Sequence, residues 1–302
     1  MDEKDLVLAT TNWIDKWLEA ERVNGAAENT INAYRRGLHR FLGWLAEQGI
    51  TQPNSADIAA YRDSLKENYS NLTVNLSLSA VRSFYRYLLE NGAISYSPAE
   101  GVRGIRGGKR EHKRSELSDS EVLDVLDTCD DTSQGIRDRA ILTLMAYCGL
   151  RTVEIQRANL DNLKINGRMV LWVQGKGHRE ADEFVVIPRD QEPVMRRWLA
   201  ERKKLGNNPA LFVSLSKQNR GERLTTRAIS LLVKEHYHQA GIFDDTKTTH
   251  SLRHSAITSA IRNGATPLQV QAMARHNSFN TTLGYIHEVS RLDSPAEDLI
   301  AY

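Results

Sequence analysis

The chain has few cysteines and no long apolar segment, and both absences narrow the class of protein. Only two of its 302 residues are cysteines, Cys129 and Cys148, and they form no C-x-x-C pair. Such sparse cysteine predicts a reducing compartment without a disulfide framework or a cysteine metal site. No uncharged stretch approaches the roughly 18 apolar residues of a membrane span. Residues 1–5 are too charged for a secretion signal, so we expect a cytoplasmic protein that does not bind a membrane.

The chain also has almost no excess of charge of either sign, but its charged residues are unevenly distributed. The chain carries 40 Lys and Arg against 38 Asp and Glu, a net charge of +2. Residues 101–114 alone hold six basic residues and one glutamate, a net charge of +5. A segment of this charge can follow a phosphate backbone. A solvated basic linker without a ligand explains the same charge equally well.

The first hundred residues have the pattern of a helical domain. Apolar residues recur there at helical spacing in four stripes, which predicts four helices. Asn29 and Thr30 are good capping residues and are predicted to precede the second helix. Gly49 and Gly92 are placed to end the second and fourth helices. We therefore predict a four-helix domain over residues 1–100.

A glycine-rich segment separates this domain from the rest of the chain. Residues 101–114 contain four glycines and no apolar period, a composition typical of a flexible linker. Order is predicted to resume at Ser118, because Glu121 follows three residues later in a capping-box pattern. The length of about 300 residues also suits two domains.

Residues 115–302 combine helices with a small sheet. Turn residues 166–167 separate two short apolar runs and predict a hairpin. The three predicted strands are residues 163–165, 169–173 and 184–187. Helical patterns account for most of the remainder, and a last capping box predicts a tail helix from about residue 294. The fold class is therefore mainly α, with an all-helical first domain and an α+β second domain carrying an antiparallel three-stranded sheet.

Three places in the second domain carry residues suited to chemistry at a phosphate. Arg151 lies two residues after Gly149, a glycine placed to end an apolar helix. His250 and Arg253 are three residues apart and share one helix face. Tyr285 lies nine residues after His276. These places are far apart in sequence, so they form a site only if the fold brings them together.

The residue types point to a phosphodiester. Arginine presents a planar, permanently charged fork that grips phosphate oxygens, and charge stabilisation supplies most catalysis of phosphoryl transfer. A tyrosine nucleophile has an ordinary pKa of about 10 and needs a base or a positive field. Histidine supplies such a base near neutral pH. Lys176, on the loop after the hairpin, is placed to protonate a leaving oxygen.

Each residue alone also has a plainer interpretation. Arg151 is equally suited to a salt bridge with Glu154, and Tyr285 to a buried aromatic position. His250 and His254 have the spacing of a zinc pair, but no H-E-x-x-H glutamate and no third ligand accompany them. We therefore expect no metal and no cofactor.

Taken together, the motifs resemble the tyrosine recombinase (phage integrase) family, including the Xer-type recombinases. The family's first arginine motif resembles residues 149–154, its H-x-x-R motif residues 250–253, and its histidine-to-tyrosine block residues 276–285. The hairpin lysine resembles Lys176, and residues 29–41 resemble the helical core-binding domain. The resemblance runs in order over nearly the whole chain.

This resemblance implies the fold and the reaction. It implies a SAM-like core-binding domain that clamps DNA, a linker over residues 101–114 and a catalytic domain over residues 115–302. It also implies a site-specific recombinase that cleaves and rejoins DNA strands in integration, excision or resolution. Tyr285 would attack the phosphate and form a 3′-phosphotyrosine, which preserves the bond energy without ATP or metal.

The remaining roles also follow from the resemblance. Arg151 and Arg253 would clamp the scissile phosphate, and His250 would act as the general acid and base. His276 would bind a phosphate oxygen. Glu154 would support Arg151 or His250. The leaving 5′ oxygen would receive its proton from Lys176, with Arg179 as a rival.

The chain departs from the family pattern at two places. Arg275 stands where the family usually has glycine, and either a phosphate contact or simple exposure would explain it. The loop after Lys176, residues 178–183, is rearranged compared with the usual basic spacing. Neither departure affects the arginines or the tyrosine.

The expected partners are double-stranded DNA and further copies of the chain, as a homotetramer on two sites that is a monomer or dimer in solution. The candidate DNA-binding residues are Arg103, Arg106, Lys109, Arg110, Lys113, Arg114, Arg220, Arg223 and Arg227. Two alternatives remain open at this point. A type IB topoisomerase-like strand transferase would use the same residues, and a catalytically silent DNA-binding regulator would keep only the binding surface.

Overall fold

The computed structural model describes residues 3–106, 115–175 and 180–293, with the backbone alone for residues 3–11, 288 and 290–293. The chain divides into two compact units at residue 111, each with its own hydrophobic core. Among the described residues, no helix combines the length and the apolar composition that crossing a bilayer requires.

The first unit consists of four α-helices, as predicted. They are α1 Glu3–Val23, α2 Glu28–Glu47, α3 Ser55–Ser64 and α4 Asn71–Glu90, with a 3-10 turn at Leu65–Glu67. The predicted cap of α2 by Asn29 and Thr30 is wrong: the N-cap is Ala27, without a side-chain bond. The helix begins earlier, at Glu28, because packing of α2 on the core stabilises its first turn without a side-chain cap.

Aromatic side chains fill the core of the first unit. Trp17 stacks on Tyr34 with ring centroids 5.5 Å apart, and Phe41 meets Tyr61 edge-on at 4.9 Å. Helices α2 and α4 approach closely at Gly37, where an added Cβ would lie 3.1 Å from the Ala80 Cβ. A larger side chain at this position would separate the two helices.

The start of the predicted flexible linker is instead attached to the first unit. Val102 is buried, and Ile105 packs against the same core. Asn75 holds the backbone of Ile105 at both ends: its side-chain amide donates to the carbonyl at 2.9 Å, and its side-chain oxygen accepts from the backbone N–H at 2.9 Å. Arg62 donates to the Arg103 carbonyl at 3.0 Å. The interpretation as a flexible linker is therefore wrong for residues 102–106, while residues 107–114 lie outside the described part.

The second unit is the predicted mixture of helices and a small sheet. Its α-helices are α5 Asp119–Asp127, α6 Ser133–Cys148, α7 Thr152–Arg157, α8 Glu192–Arg202, α9 Thr226–Gln239, α10 Thr249–Arg262, α11 Pro267–Ala274 and α12 Phe279–Asp293. The strands are β1 Leu163–Asn166, β2 Arg168–Val173 and β3 Glu183–Val186, paired antiparallel in the order β1-β2-β3. The predicted tail helix from residue 294 lies outside the described residues.

Helix α6 forms the centre of the second unit. Nearly every residue from Gly135 to Cys148 is buried, including the charged pair Arg137 and Asp138. A helix buried on all sides lacks an amphipathic stripe, and packs here against both α8 and α10. The C-terminal end of α6 leads directly into the segment that carries Arg151.

Candidate active site

A sharp turn after α6 places Arg151 at the start of α7. Gly149 ends α6 in the left-handed conformation, with φ of +58°, which glycine adopts at little cost. Arg151 is the N-cap of α7, and its backbone N–H donates to Glu154 Oε2 at 2.7 Å. The Arg151 side chain remains 25% exposed, so part of its guanidinium is accessible to a ligand.

Glu154 is a fully buried carboxylate between two arginines. Its Oε1 accepts from Arg151 Nη1 at 2.8 Å and from Arg275 Nε at 3.4 Å. Its Oε2 accepts from Arg275 Nη2 at 2.7 Å as well as from the Arg151 backbone. Burial acts to raise the pKa of Glu154, but Arg275 and Arg151 outweigh burial and hold it below its ordinary value. The predicted support of Arg151 by Glu154 therefore has a geometric basis.

Arg253, on α10, approaches the same turn from the other side. Its side chain is buried and donates to the carbonyls of Gly149 and Ala274. A guanidinium has five N–H donors, so the bonds to described residues leave three for another acceptor. Burial, then Arg151, then Arg275 lower the pKa of Arg253. An incoming anion would relieve this crowding of positive charge.

Arg275 is buried, so its interpretation as an exposed residue is wrong, and its guanidinium bonds to Glu154 within the protein. It is 4% exposed and ends α11 with φ of +52°, the one non-glycine residue with positive φ in the described ranges. A left-handed residue at a helix end is usually glycine because it has no Cβ. Here the conformation turns the arginine back toward Glu154.

His276 and Tyr285 lie against each other beside the arginines. Their rings stack with centroids 5.7 Å apart and an interplanar angle of 15°. His276 Nδ1 is 2.9 Å from Thr282 Oγ1. Burial, followed by the charges of Arg253 and Arg151, lowers the pKa of His276 to about 4. His276 is therefore neutral at physiological pH, and its Nε2 carries the ring proton when the Thr282 hydroxyl donates to Nδ1.

His254 also contacts the Tyr285 ring, and sequence reasoning assigned it no role. The two ring centroids are 4.6 Å apart, and His254 is 8% exposed. Its Nδ1 lies 3.8 Å from Glu116 Oε2. A histidine directly after the H-x-x-R motif was the available signal, but its contact with Tyr285 depends on how α12 packs against α10.

His250 lies in the first turn of α10 and is exposed. It follows the N-cap Thr248, whose hydroxyl accepts from the His250 backbone N–H at 3.3 Å. His250 thus shares a helix with Arg253, as predicted from their spacing. Lys176 and its rival Arg179 lie outside the described residues.

The candidate DNA-binding residues divide into three groups. Arg103, Arg106, Arg220 and Arg227 are exposed. Arg223 instead donates to the Gln156 and Ala158 carbonyls at 2.8 and 3.1 Å and to the Asn159 side chain, which indicates a structural role in attaching the strand-like segment before α9. Lys109, Arg110, Lys113 and Arg114 lie outside the described residues.

Positive charge therefore dominates a site built around an aromatic hydroxyl. Among the described residues, the three guanidiniums of Arg151, Arg253 and Arg275 lie near one carboxylate, that of Glu154, which bonds to Arg151 and Arg275. The charges of Arg253 and Arg151 both act, after burial, to lower the pKa of His276, so the two arginines lie near its ring. Such a site can bind one anionic group and present it to the tyrosine.

Comparison with protein families agrees with this geometry. A model described as the phage integrase family matches residues 115–291. A second, described as the phage integrase N-terminal SAM-like domain, matches residues 14–92. The chain belongs to the phage integrase family of tyrosine recombinases. The predicted family and fold class are thereby confirmed.

Curated relatives match this recombinase over most of its length. Tyrosine recombinase XerD of Pseudomonas putida is 32% identical over 289 residues, covering 91% of this chain and 92% of that protein. XerD of Lacticaseibacillus casei is 33% identical over 90% of this chain and 91% of the relative. XerC of Alcanivorax borkumensis is 30% identical over 93% and 89%. The chain is a tyrosine site-specific recombinase, as predicted, and these relatives support neither the topoisomerase nor the silent-regulator alternative.

Solved structures of recombinases have the same fold. XerH bound to a palindromic difH substrate, in a post-cleavage complex, superposes with a TM-score of 0.76 at 20% identity and covers 98% of this chain and 89% of that one. A lambda integrase dimer bound to a COC′ core site gives 0.67 at 16% identity, over 90% and 96%. A lambda integrase tetramer bound to a Holliday junction also gives 0.67, over 91% and 76%.

Proposed function

We propose that Tyr285 is the nucleophile with which this tyrosine recombinase cleaves and rejoins DNA. The observation that carries the proposal is the position of its ring, in contact with His276, whose pKa is lowered by burial and then by the nearby charges of Arg253 and Arg151. These contacts place the tyrosine beside the positive charge that a phosphate would neutralise.

The reaction follows from these positions. Arg151 and Arg253 bind the non-bridging oxygens of the scissile phosphate, and neutral His276 donates one further hydrogen bond. The Tyr285 oxygen attacks phosphorus while its proton passes to a base, for which His250 is our assignment. The bond to the 5′ oxygen breaks, and that oxygen receives a proton from Lys176 or Arg179. The product is a 3′-phosphotyrosine and a free 5′-hydroxyl, and a second 5′-hydroxyl reverses the step.

The partner that this chemistry requires is double-stranded DNA, contacted by both domains. The relatives named as recombinases, and the neighbours solved on core sites and on a Holliday junction, support a homotetramer on two sites for this chain as well. We propose cytoplasmic localisation, where such DNA is accessible. The first domain, residues 1–100, and the catalytic domain from residue 115 are proposed as the two halves of the DNA clamp.

Covalent trapping on DNA tests the proposal. Duplexes that bind the Tyr285→Phe variant are selected from a randomised pool and then nicked so that the cleaved end diffuses away. Wild-type protein, incubated with these duplexes without metal, should form a covalent band on a denaturing gel. Tyr285→Phe should bind the same duplexes with unchanged affinity and form no band.

The matched control is Tyr96→Phe, because Tyr96 is exposed and lies in the first unit. This variant should trap DNA as wild type does. A covalent band with Tyr285→Phe would assign the nucleophile to another tyrosine, which mass spectrometry of the DNA-linked peptide would identify. If wild-type protein binds the duplexes but forms no covalent band, that result would contradict the proposed catalytic function.

A further inference from the structure

Arg275 has every donor committed within the protein. Its Nε and Nη2 reach the two oxygens of Glu154, at 3.4 and 2.7 Å. Nη2 also donates to the Gly149 carbonyl at 3.1 Å, and Nη1 donates to the carbonyls of Cys148 and Met273. These bonds use all five N–H groups of a guanidinium. Arg275 therefore has no donor left for a DNA phosphate.

Arg151 differs from Arg275 in this respect. It makes one side-chain bond to Glu154 and one, at 3.4 Å, to the backbone carbonyl of Arg275. No other described residue bonds to its three remaining donors, and a quarter of its side chain is exposed. One partner of the Arg151 side chain is thus the backbone of Arg275, and the other is the Glu154 carboxylate, to which the Arg275 side chain also bonds. The position of the Arg151 guanidinium depends on Arg275 through two separate contacts.

The backbone of Arg275 makes this arrangement possible. Its left-handed conformation, with φ of +52° and ψ of +53°, ends α11 and directs the side chain toward the turn after α6. A non-glycine residue pays a conformational cost for this backbone. The compensation is a set of five hydrogen bonds in a fully buried environment, where charged bonds are strong.

We infer that Arg275 is a positioning residue, which holds Glu154 and thereby fixes Arg151 in the geometry that binds the scissile phosphate. The inference rests on the proposed function, because it assumes that Arg151 binds that phosphate. A guanidinium held before DNA arrives loses little freedom on binding. Arg275 accordingly acts on the rate of cleavage and has little effect on DNA affinity.

The substitution Arg275→Gly tests this inference, since glycine keeps the left-handed backbone and removes the guanidinium. Single-turnover cleavage of the nicked duplexes at saturating protein should slow at least tenfold. The dissociation constant for uncleaved DNA should stay within threefold of wild type. Arg275→Lys, which keeps a charge but cannot span both Glu154 oxygens, should give an intermediate rate. A cleavage rate for Arg275→Gly within twofold of wild type would overturn the inference.

A double-mutant cycle separates positioning from a general structural effect. If Arg275 acts through Glu154, then Arg275→Gly should slow cleavage by less than twofold in a Glu154→Gln background. Independent, multiplying effects of the two substitutions would contradict action through Glu154. Circular dichroism melting of each variant shows whether the fold is retained. If Arg275→Gly does not fold, the Arg275→Lys variant decides, and a wild-type cleavage rate there overturns the inference.

A second readout does not depend on catalysis. Phenylglyoxal modifies accessible, unpaired guanidiniums, and mass spectrometry of peptides reports the rate for Arg151 in DNA-free protein. This rate should rise several-fold in Arg275→Gly, whereas that of the exposed Arg106 should not change. An unchanged rate at Arg151 would show that Arg275 does not hold it. Because this measurement needs no reaction with DNA, it decides the positioning role even if wild-type protein fails to trap DNA.

Discussion

At the scale of single residues, the buried Arg253 connects two segments that carry the other phosphate-binding groups. Its donors reach the carbonyl of Gly149, two residues before Arg151, and that of Ala274, two residues before His276. These bonds require the fork of a guanidinium, because an ammonium presents its donors from a single atom. The charge alone is therefore insufficient at this position.

We predict that Arg253→Lys reduces single-turnover cleavage by about 10²- to 10³-fold, the usual loss when one donor to a transition-state oxyanion is removed. DNA affinity should change much less, because many other phosphate contacts contribute to it. Rapid-quench cleavage of the nicked duplexes measures the rate. Arg262→Lys, in the last turn of the same helix and 44% exposed, is the control and should cleave normally. A similar loss in both variants would indicate damage to α10.

At the scale of elements, one buried histidine joins three helices of the catalytic domain. His236 of α9 places Nε2 3.4 Å from Asp138 of α6, and Nδ1 2.7 Å from the hydroxyl of Thr128 at the end of α5. That hydroxyl donates to the Val125 carbonyl at 2.6 Å, so it accepts from the ring. Both ring nitrogens therefore donate, and the imidazole is protonated.

The pKa of His236 agrees with this bonding. Burial acts to lower the pKa, but hydrogen bonds to Asp138 and Cys129 outweigh burial and raise it to about 9. The unfolded chain has the ordinary value of about 6.5. Because the folded value is the higher one, the stabilisation is complete below about pH 6.5 and is lost as the pH rises to about 9.

We predict that His236→Gln lowers the melting temperature most at pH 6 and much less at pH 9.5. Across this pH range, the protonated histidine's contribution to the free energy of unfolding falls by about 3 kcal/mol at most. This loss corresponds to a decrease of several degrees in the melting temperature of a domain of this size. Thermal melts followed by circular dichroism measure it. His238→Gln, two residues further along α9 and exposed, should show no such pH dependence. A constant difference between His236→Gln and wild type at every pH would rule out the protonated pair.

At the scale of the whole molecule, DNA affinity must come from local clusters of charge, since the net charge is only +2. The start of the basic segment is attached to the first domain through Asn75 and Arg62. Exposed Arg103 and Arg106 are therefore held at defined positions on that domain. Side chains presented in this way lose less freedom on binding a phosphate backbone than those of a free chain.

We predict that replacing Arg103 and Arg106 together by Gln weakens DNA binding and makes it less sensitive to salt. Each lost phosphate contact lowers the slope of log affinity against log salt concentration by about 0.9, so the slope should fall by about 2. Fluorescence anisotropy across a salt series measures it. The control is Arg196→Gln with Arg197→Gln, two exposed arginines of α8. An equal change of slope in both double variants would exclude a specific role for the segment.

Much of the fold followed from local patterns. The hairpin and most helices of both domains were predicted because apolar spacing, capping residues and turn glycines act over a few residues. The short helix α7 was not predicted. The capping box of Ser118 and Glu121 is present as predicted. The cap of α2 was misplaced because Asn29 and Thr30 suit a helix interior as well once tertiary packing stabilises the helix. The start of the linker, residues 102–106, is not flexible as predicted, because Asn75, 30 residues before Ile105, anchors its backbone.

By itself, the sequence determined the family, the helical first domain, the small sheet and the set of candidate catalytic residues. Only the tertiary structure decided how those residues are supported. The bond between Arg275 and Glu154 joins positions 121 residues apart, and His254 reaches Tyr285 only because α12 packs on α10. The physical reason is that periodicity and capping depend on near neighbours, whereas a buried charge finds its partner through the packing of distant elements.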